Sequence, residues 1–97
     1  MPLSILFKST SYALAPTDDV VLFTTGSSAL AGTLPTAVGI AGKTLILKKV
    51  DAGTGAVTVG TTSSQMMDAD HTFLLSTQWQ RLKVFSDGSN WQVSGSN

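Results

Sequence analysis

Apolar residues along this chain fall into short alternating runs broken by Gly, Pro, Asp and Ser, with no long stretch at helical spacing. The clearest run is Lys43-Thr44-Leu45-Ile46-Leu47-Lys48-Lys49-Val50, which predicts a strand stopped by a turn at Asp51-Ala52-Gly53-Thr54-Gly55. Ala56–Gly60, with Val57 and Val59 on one side and Thr58 on the other, is expected as its hairpin partner. Asp18–Thr25 predicts an earlier strand between Pro16-Thr17 and Gly26-Ser27-Ser28. Ala29–Pro35 predicts an edge strand or a strand end, because Pro35 lacks an amide donor and disfavours helix at Leu34.

Thr36–Gly42 has room for one helical turn, and the polar loop 61–65 leads through Met66-Met67 to a strand at His71–Leu75. Met66-Met67 suits a core gap or an adaptable contact. Gln80–Ser86 and Asn90–Val93 flank Asp87-Gly88-Ser89, a strong hairpin signal. Trp91 is expected to pack inward with Val93, and Ser94–Asn97 reads as a flexible tail. Seven or eight closely spaced strands predict one all-β domain over residues 1–97, a small antiparallel β-sandwich or jelly-roll-like barrel.

Composition sharpens this picture. Ser, Thr and Gly supply 34 of the 97 residues and there is no Glu, so surface helices are disfavoured. Six Lys and Arg balance six Asp, which leaves no basic face for nucleic acid. The lack of Cys removes disulfides, thiolate metal sites and a cysteine nucleophile. The apolar stretch of Met1–Lys8 is too short for a signal segment or a membrane span, so the expectation is a soluble product of a cytoplasm with no membrane insertion.

Little in the chain suits catalysis or a cofactor. Asp68-Ala69-Asp70-His71 offers two carboxylates and the single imidazole, yet calcium takes six to eight oxygens and zinc three or four ligands. A solvated turn entering a strand is expected there. Asp18 is expected to bind turn amides rather than to form half of a glycosidase pair with Asp19. The reading is therefore a protein that is not an enzyme and holds no cofactor or metal.

Contacts are the remaining function. Several strands are apolar on both faces, as at Leu45, Ile46 and Leu47 or Phe73, Leu74 and Leu75. A domain of this size builds only a thin core, so other chains are expected to cover one face. Residues 1–11 read as an attachment or strand-exchange arm. Within it Leu3, Ile5 and Phe7 share one face of an added strand, and an interior strand is the alternative. Trp79, set between Gln78 and Gln80, is a candidate exposed contact. Arg81 and Lys83 share a face with Phe85, opposite Leu82 and Val84.

The order of several fragments resembles a small β-domain that recurs in tailed-bacteriophage virion proteins. The fragments are Asp18-Asp19-Val20-Val21-Leu22, Leu34-Pro35-Thr36-Ala37, Gly39, Gly42-Lys43, Leu47-Lys48-Lys49-Val50-Asp51, Val57-Thr58-Val59, Met67-Asp68 and Ser86-Asp87-Gly88-Ser89-Asn90-Trp91. The resemblance spans about Tyr12 to Val93 and implies a β-sandwich module, commonly trimeric, that is structural or adhesive on a phage particle. About eleven residues precede Tyr12, so if the 97 residues are the complete product, a free-standing capsid decoration or cement protein is expected rather than a fibre tip. The expected partners are further copies in a homotrimer and the major capsid protein, and the location is the virion surface. The alternative is a receptor-binding domain of a tail fibre or baseplate that recognises host surface glycans through Trp79, Gln78 and Gln80.

Overall fold

Strict alternation is strongest in two six-residue segments, Thr44–Lys49 and Arg81–Ser86, where every second side chain is buried. That period of two places one row of each strand in the core and the other on the surface. The computed structural model describes residues 5–62, 64–68 and 70–96. Among them are nine strands and no helix: β1 (Ile5–Lys8), β2 (Tyr12–Ala13), β3 (Val20–Phe23), β4 (Leu30–Thr33), β5 (Thr44–Lys49), β6 (Val57–Gly60), β7 (Thr72–Leu75), β8 (Arg81–Ser86) and β9 (Trp91–Ser96). They form a five-stranded sheet in the order β1-β3-β5-β8-β9 and a four-stranded sheet in the order β2-β4-β6-β7.

Both sheets are mixed, which corrects the expected antiparallel sandwich or jelly-roll. From β1 to β6 the chain changes sheet with every strand. Successive visits to one sheet therefore run the same way, and β1, β3 and β5 pair in parallel, as do β2, β4 and β6. Only β7, β8 and β9 add antiparallel pairs. The two sheets share one apolar core, in which Val21, Phe23, Leu45, Leu47, Leu82, Val84 and Trp91 meet Leu30, Val57, Val59 and Leu75. The shortest molecular dimension, 21 Å, suits two sheets about 10 Å apart with their outer side chains.

Three more expectations change, and of the two forms expected for Ala29–Pro35 the strand end is the one present, since β4 stops at Thr33. The predicted β5–β6 hairpin is an arch from one sheet to the other, because Asp51–Gly55 stacks on the preceding arch instead of folding back. Asp51 accepts the Thr25 and Gly26 amides at 3.1 and 2.8 Å, and Gly55 N donates to Gly26 O at 2.9 Å. A Cβ at Gly53 or Gly55 would run into the Gly26 or Ser28 carbonyl, so this stacking requires glycine at both positions.

The helical turn expected in Thr36–Gly42 is replaced by irregular chain pinned from outside. Gln65 Oε1 accepts the Ala37 amide, Ser86 Oγ donates to the Ala37 carbonyl, and the Gly42 amide donates to the Ser86 carbonyl. β4 lies inside its sheet between β2 and β6, with Pro35 beyond its end. Ser94–Ser96, expected to be flexible, belong to β9, where Gly95 and Ser96 pair with Lys83 and Leu82. The Asp87-Gly88-Ser89 hairpin is present between β8 and β9, and Trp91 is fully buried with Nε1 donating to Pro35 O at 3.1 Å.

Candidate docking surface

Strand register decides which side chains share the outer face of the five-stranded sheet. Val21, Phe23, Leu45, Leu47, Leu82 and Val84 point inward, so their neighbours in sequence point out. Ile5 lies beside Val20 and Val20 beside Ile46, while Phe7 lies beside Leu22 and Leu22 beside Lys48. Ile46 and Lys48 in turn face Lys83 and Arg81, and Thr44 faces Phe85. The result is an apolar field over β1, β3 and β5 that borders on cationic side chains of β5 and β8.

Exposure along this face is uneven. Phe7 is 73% exposed, Ile5 56% and Phe85 37%, whereas Val20, Leu22 and Ile46 are half-buried by their neighbours. The apolar part of this face lies on the parallel strands β1, β3 and β5. The outer face of the other sheet differs in kind: Ala31 and Thr58 are small, and Leu74 is its one large exposed apolar side chain among the described residues.

Of the residues singled out in the sequence, Ile5 and Phe7 therefore share one surface with Arg81, Lys83 and Phe85. The segment expected to pair along another chain pairs in parallel with β3 of its own, as an edge strand. Leu3 lies outside the described residues. Trp79 stands at the β8 end of the same surface, 56% exposed, with Lys48 Nζ 5.5 Å from its ring centroid. Among the described strand residues of this face the charged side chains are Lys48, Arg81 and Lys83, with no carboxylate.

The other candidates have local partners. Asp18 accepts the Ala15 amide at 2.8 Å and the Tyr12 hydroxyl at 2.7 Å. That hydroxyl bond, with burial, raises the Tyr12 phenol above its ordinary value. Asp68 Oδ1 accepts the Val93 amide at 3.0 Å, and His71 Nδ1 lies 3.2 Å from the Gln65 carbonyl oxygen. No three acidic, His or Cys groups come together at metal-binding distance among the described residues.

One residue escaped the sequence reading. Lys49 has no exposed surface at all, and Nζ donates to Asp51 O at 2.7 Å, Gly53 O at 2.8 Å and Asp51 Oδ1 at 3.2 Å. Its signal was parity: Leu45, Leu47 and Lys49 share one face of a strand, so a core-facing Leu45 and Leu47 make Lys49 core-facing too. Compared with protein-family models and with curated proteins, the sequence matches none of either.

Proposed function

We propose that this protein is a non-catalytic virion protein of a tailed bacteriophage that docks on the outside of the assembled head as a decoration or cement protein. The observation that carries the docking is the outer face of the five-stranded sheet, where Ile5, Phe7, Val20, Leu22 and Ile46 form an apolar field across parallel strands. The phage setting draws on the motif order from Tyr12 to Val93.

Charge argues for the occupant. Lys48 and Lys83 border the field without a carboxylate among its described strand residues, so two copies placed face to face would oppose like charges. A capsid surface with an apolar centre and an acidic margin is complementary to it. The working unit is a homotrimer, in which the first contact raises the effective concentration for the other two. Binding that exists only on the assembled shell stabilises that shell by mass action.

Co-sedimentation with empty capsids, and in parallel with host cells, tests the proposal. Saturable capsid binding without cell binding is expected. Cell binding without capsid binding would overturn it in favour of a tail-borne receptor-binding domain. Light scattering at micromolar concentration should give about three times the 10.1 kDa chain mass, and a monomer mass would refute the trimer.

A further inference from the structure

Asp87-Gly88 is the one Asp-Gly pair in the chain, and Asn-Gly is absent. These dipeptides rearrange more readily than others, because glycine has no side chain to keep its amide nitrogen from the preceding side-chain carbonyl carbon. In an Asp-Gly pair the glycine nitrogen attacks Cγ of the protonated carboxyl. The nitrogen gives up its proton, the carboxyl hydroxyl leaves as water, and a five-membered succinimide forms. Water then opens the ring. Cleavage of the N–Cγ bond restores aspartate. Cleavage between the nitrogen and the main-chain carbonyl carbon leaves isoaspartate, with Cβ and Cγ in the main chain and the carboxylate on Cα. Water is the sole co-reactant, and the mass is unchanged.

The fold needs the residue that makes this bond labile, since Gly88 has a φ of +100°, open to glycine at little cost. Asp87 is exposed and Gly88 half-buried, so burial does not protect the carboxyl. Hydrogen bonds engage both reacting groups instead. Asp87 Oδ1 accepts the Asn90 and Ser89 amides at 2.8 and 2.9 Å, and Oδ2 accepts Gln92 Nε2 at 2.8 Å. Donors on both oxygens favour the ionised carboxylate, which has no hydroxyl to lose as water. Turning Cγ onto the Gly88 nitrogen would also carry it away from these three donors. Gly88 N meanwhile donates to Ser86 Oγ at 3.0 Å. That hydroxyl is buried and fixed in turn, donating to Ala37 O at 2.6 Å. Asp87 N donates to Asn90 O at 3.0 Å and closes the turn next to the buried Trp91.

We propose that Asp87-Gly88 is a latent isoaspartate site, held shut by the closed β8–β9 turn and reactive when the turn opens. Ser86 and Gln92 are the side chains that keep it shut. The change is one-way in effect: the longer main chain at position 87 displaces the carboxylate from the Ser89 and Asn90 amides, so each event leaves a hairpin that no longer closes. The inference does not depend on where the protein is carried, so it stands or falls apart from the docking on capsids.

Ageing the full chain at neutral pH and physiological temperature, folded in buffer and unfolded in guanidinium chloride, tests it. Trypsin then releases residues 84–97 as one peptide, since neither Lys nor Arg follows Lys83. Its equal-mass forms separate by chromatography, and an isoaspartyl methyltransferase labels the isomerised one. The folded chain should accumulate isoaspartate at least about tenfold more slowly than the unfolded one, because only the locally open fraction reacts. Gln92→Ala and Ser86→Ala, each with its melting curve recorded, should raise the rate in buffer and leave the rate in guanidinium chloride unchanged. Ser86→Ala also deprives the Ala37 carbonyl of a donor, so Gln92→Ala, which removes an exposed hydrogen bond, decides the matter if the Ser86 variant does not fold. Equal rates in the folded and unfolded parent would overturn the proposal, as would a folded Gln92→Ala that ages at the parent rate.

Discussion

Lys49 and Asp51 close the top of the core together: the fully buried ammonium donates to both the carbonyl and the carboxylate of a residue two positions on. The carboxylate in turn accepts the Thr25 and Gly26 amides of the neighbouring arch. One cation thus ties the β5–β6 crossing to the β3–β4 crossing. Lys49→Met keeps most of the volume but leaves the Asp51 and Gly53 carbonyls without their donor. A loss of about 3 kcal/mol is expected, since breaking a buried, hydrogen-bonded charge costs that order. Urea unfolding with an unchanged m-value checks it, and a loss within experimental error would show the arch to be held by its backbone contacts alone.

Acid should weaken the fold through the same residue. The Thr25 and Gly26 amides, and then Lys49, hold the Asp51 carboxyl well below the usual carboxylate range. The Asn90 and Ser89 amides and the Gln92 carboxamide lower Asp87 likewise at the β8–β9 turn. A folded-state value below the unfolded one, about 3.9, gives stability that is complete above pH ~4 to 5 and lost as the pH falls toward the folded values. Melting temperatures should therefore be level from pH 5 upward through neutrality and drop below pH 4. Asp51→Asn should melt earlier at neutral pH and show a shallower acid decline. An equally steep decline in that variant would assign the effect elsewhere.

Alkali acts through Tyr12. Its phenol is raised because the hydroxyl donates to Asp18, so its stabilising effect is complete below the unfolded value of about 10 and is lost as pH rises through the folded one. Tyr12→Phe should flatten the alkaline limb of the melting profile and leave the acid limb in place.

The strands were legible because their signal is local. Alternation set Leu45 and Leu47 opposite Ile46 in β5, and Leu82 and Val84 opposite Arg81, Lys83 and Phe85 in β8, and Asp87-Gly88 marked a hairpin. The direction of pairing was not legible, since Asp51-Ala52-Gly53-Thr54-Gly55 has the composition of a hairpin turn and of an inter-sheet arch alike. What separates the two is the stacking of Gly55 on Gly26, a contact 29 positions apart that no local pattern encodes. The two-residue β2 escaped for lack of length. On the candidate surface, the Arg81-Lys83-Phe85 face followed from parity within one strand. Its union with Ile5 and Phe7 required the sheet order β1-β3-β5-β8, whose first three strands run parallel, which a reading that expects antiparallel neighbours could not assemble.

The glycines of the arch offer a sharper test of that order than any surface change. Gly53→Ala and Gly55→Ala place a Cβ against the Gly26 and Ser28 carbonyls, which are backbone and cannot swing aside. Each should destabilise the protein by about 2 kcal/mol or more, within the range for overpacking a tight contact. Gly60→Ala, where an added Cβ meets nothing within 4 Å, should be close to neutral. Equal tolerance at all three positions would contradict the stacked arches.

Binding and folding should separate on the outer face. Phe7 is 73% exposed, so Phe7→Ser should change stability by no more than about 0.5 kcal/mol. If its ring anchors the docked surface, the same change weakens capsid binding by at least about tenfold, or roughly 1.4 kcal/mol. Lys83→Glu places a carboxylate at the margin beside Ile46, where a complementary acidic partner would repel it. Its signature is a slower association rate and a reversed response to salt, with dissociation little changed. Thr58→Glu on the opposite sheet should leave all of these unchanged, because that face lies outside the proposed docking surface. Surface plasmon resonance on immobilised empty capsids measures the three variants together. Undiminished binding by Phe7→Ser and Lys83→Glu, alongside impaired binding by Thr58→Glu, would move the docking surface to the four-stranded sheet.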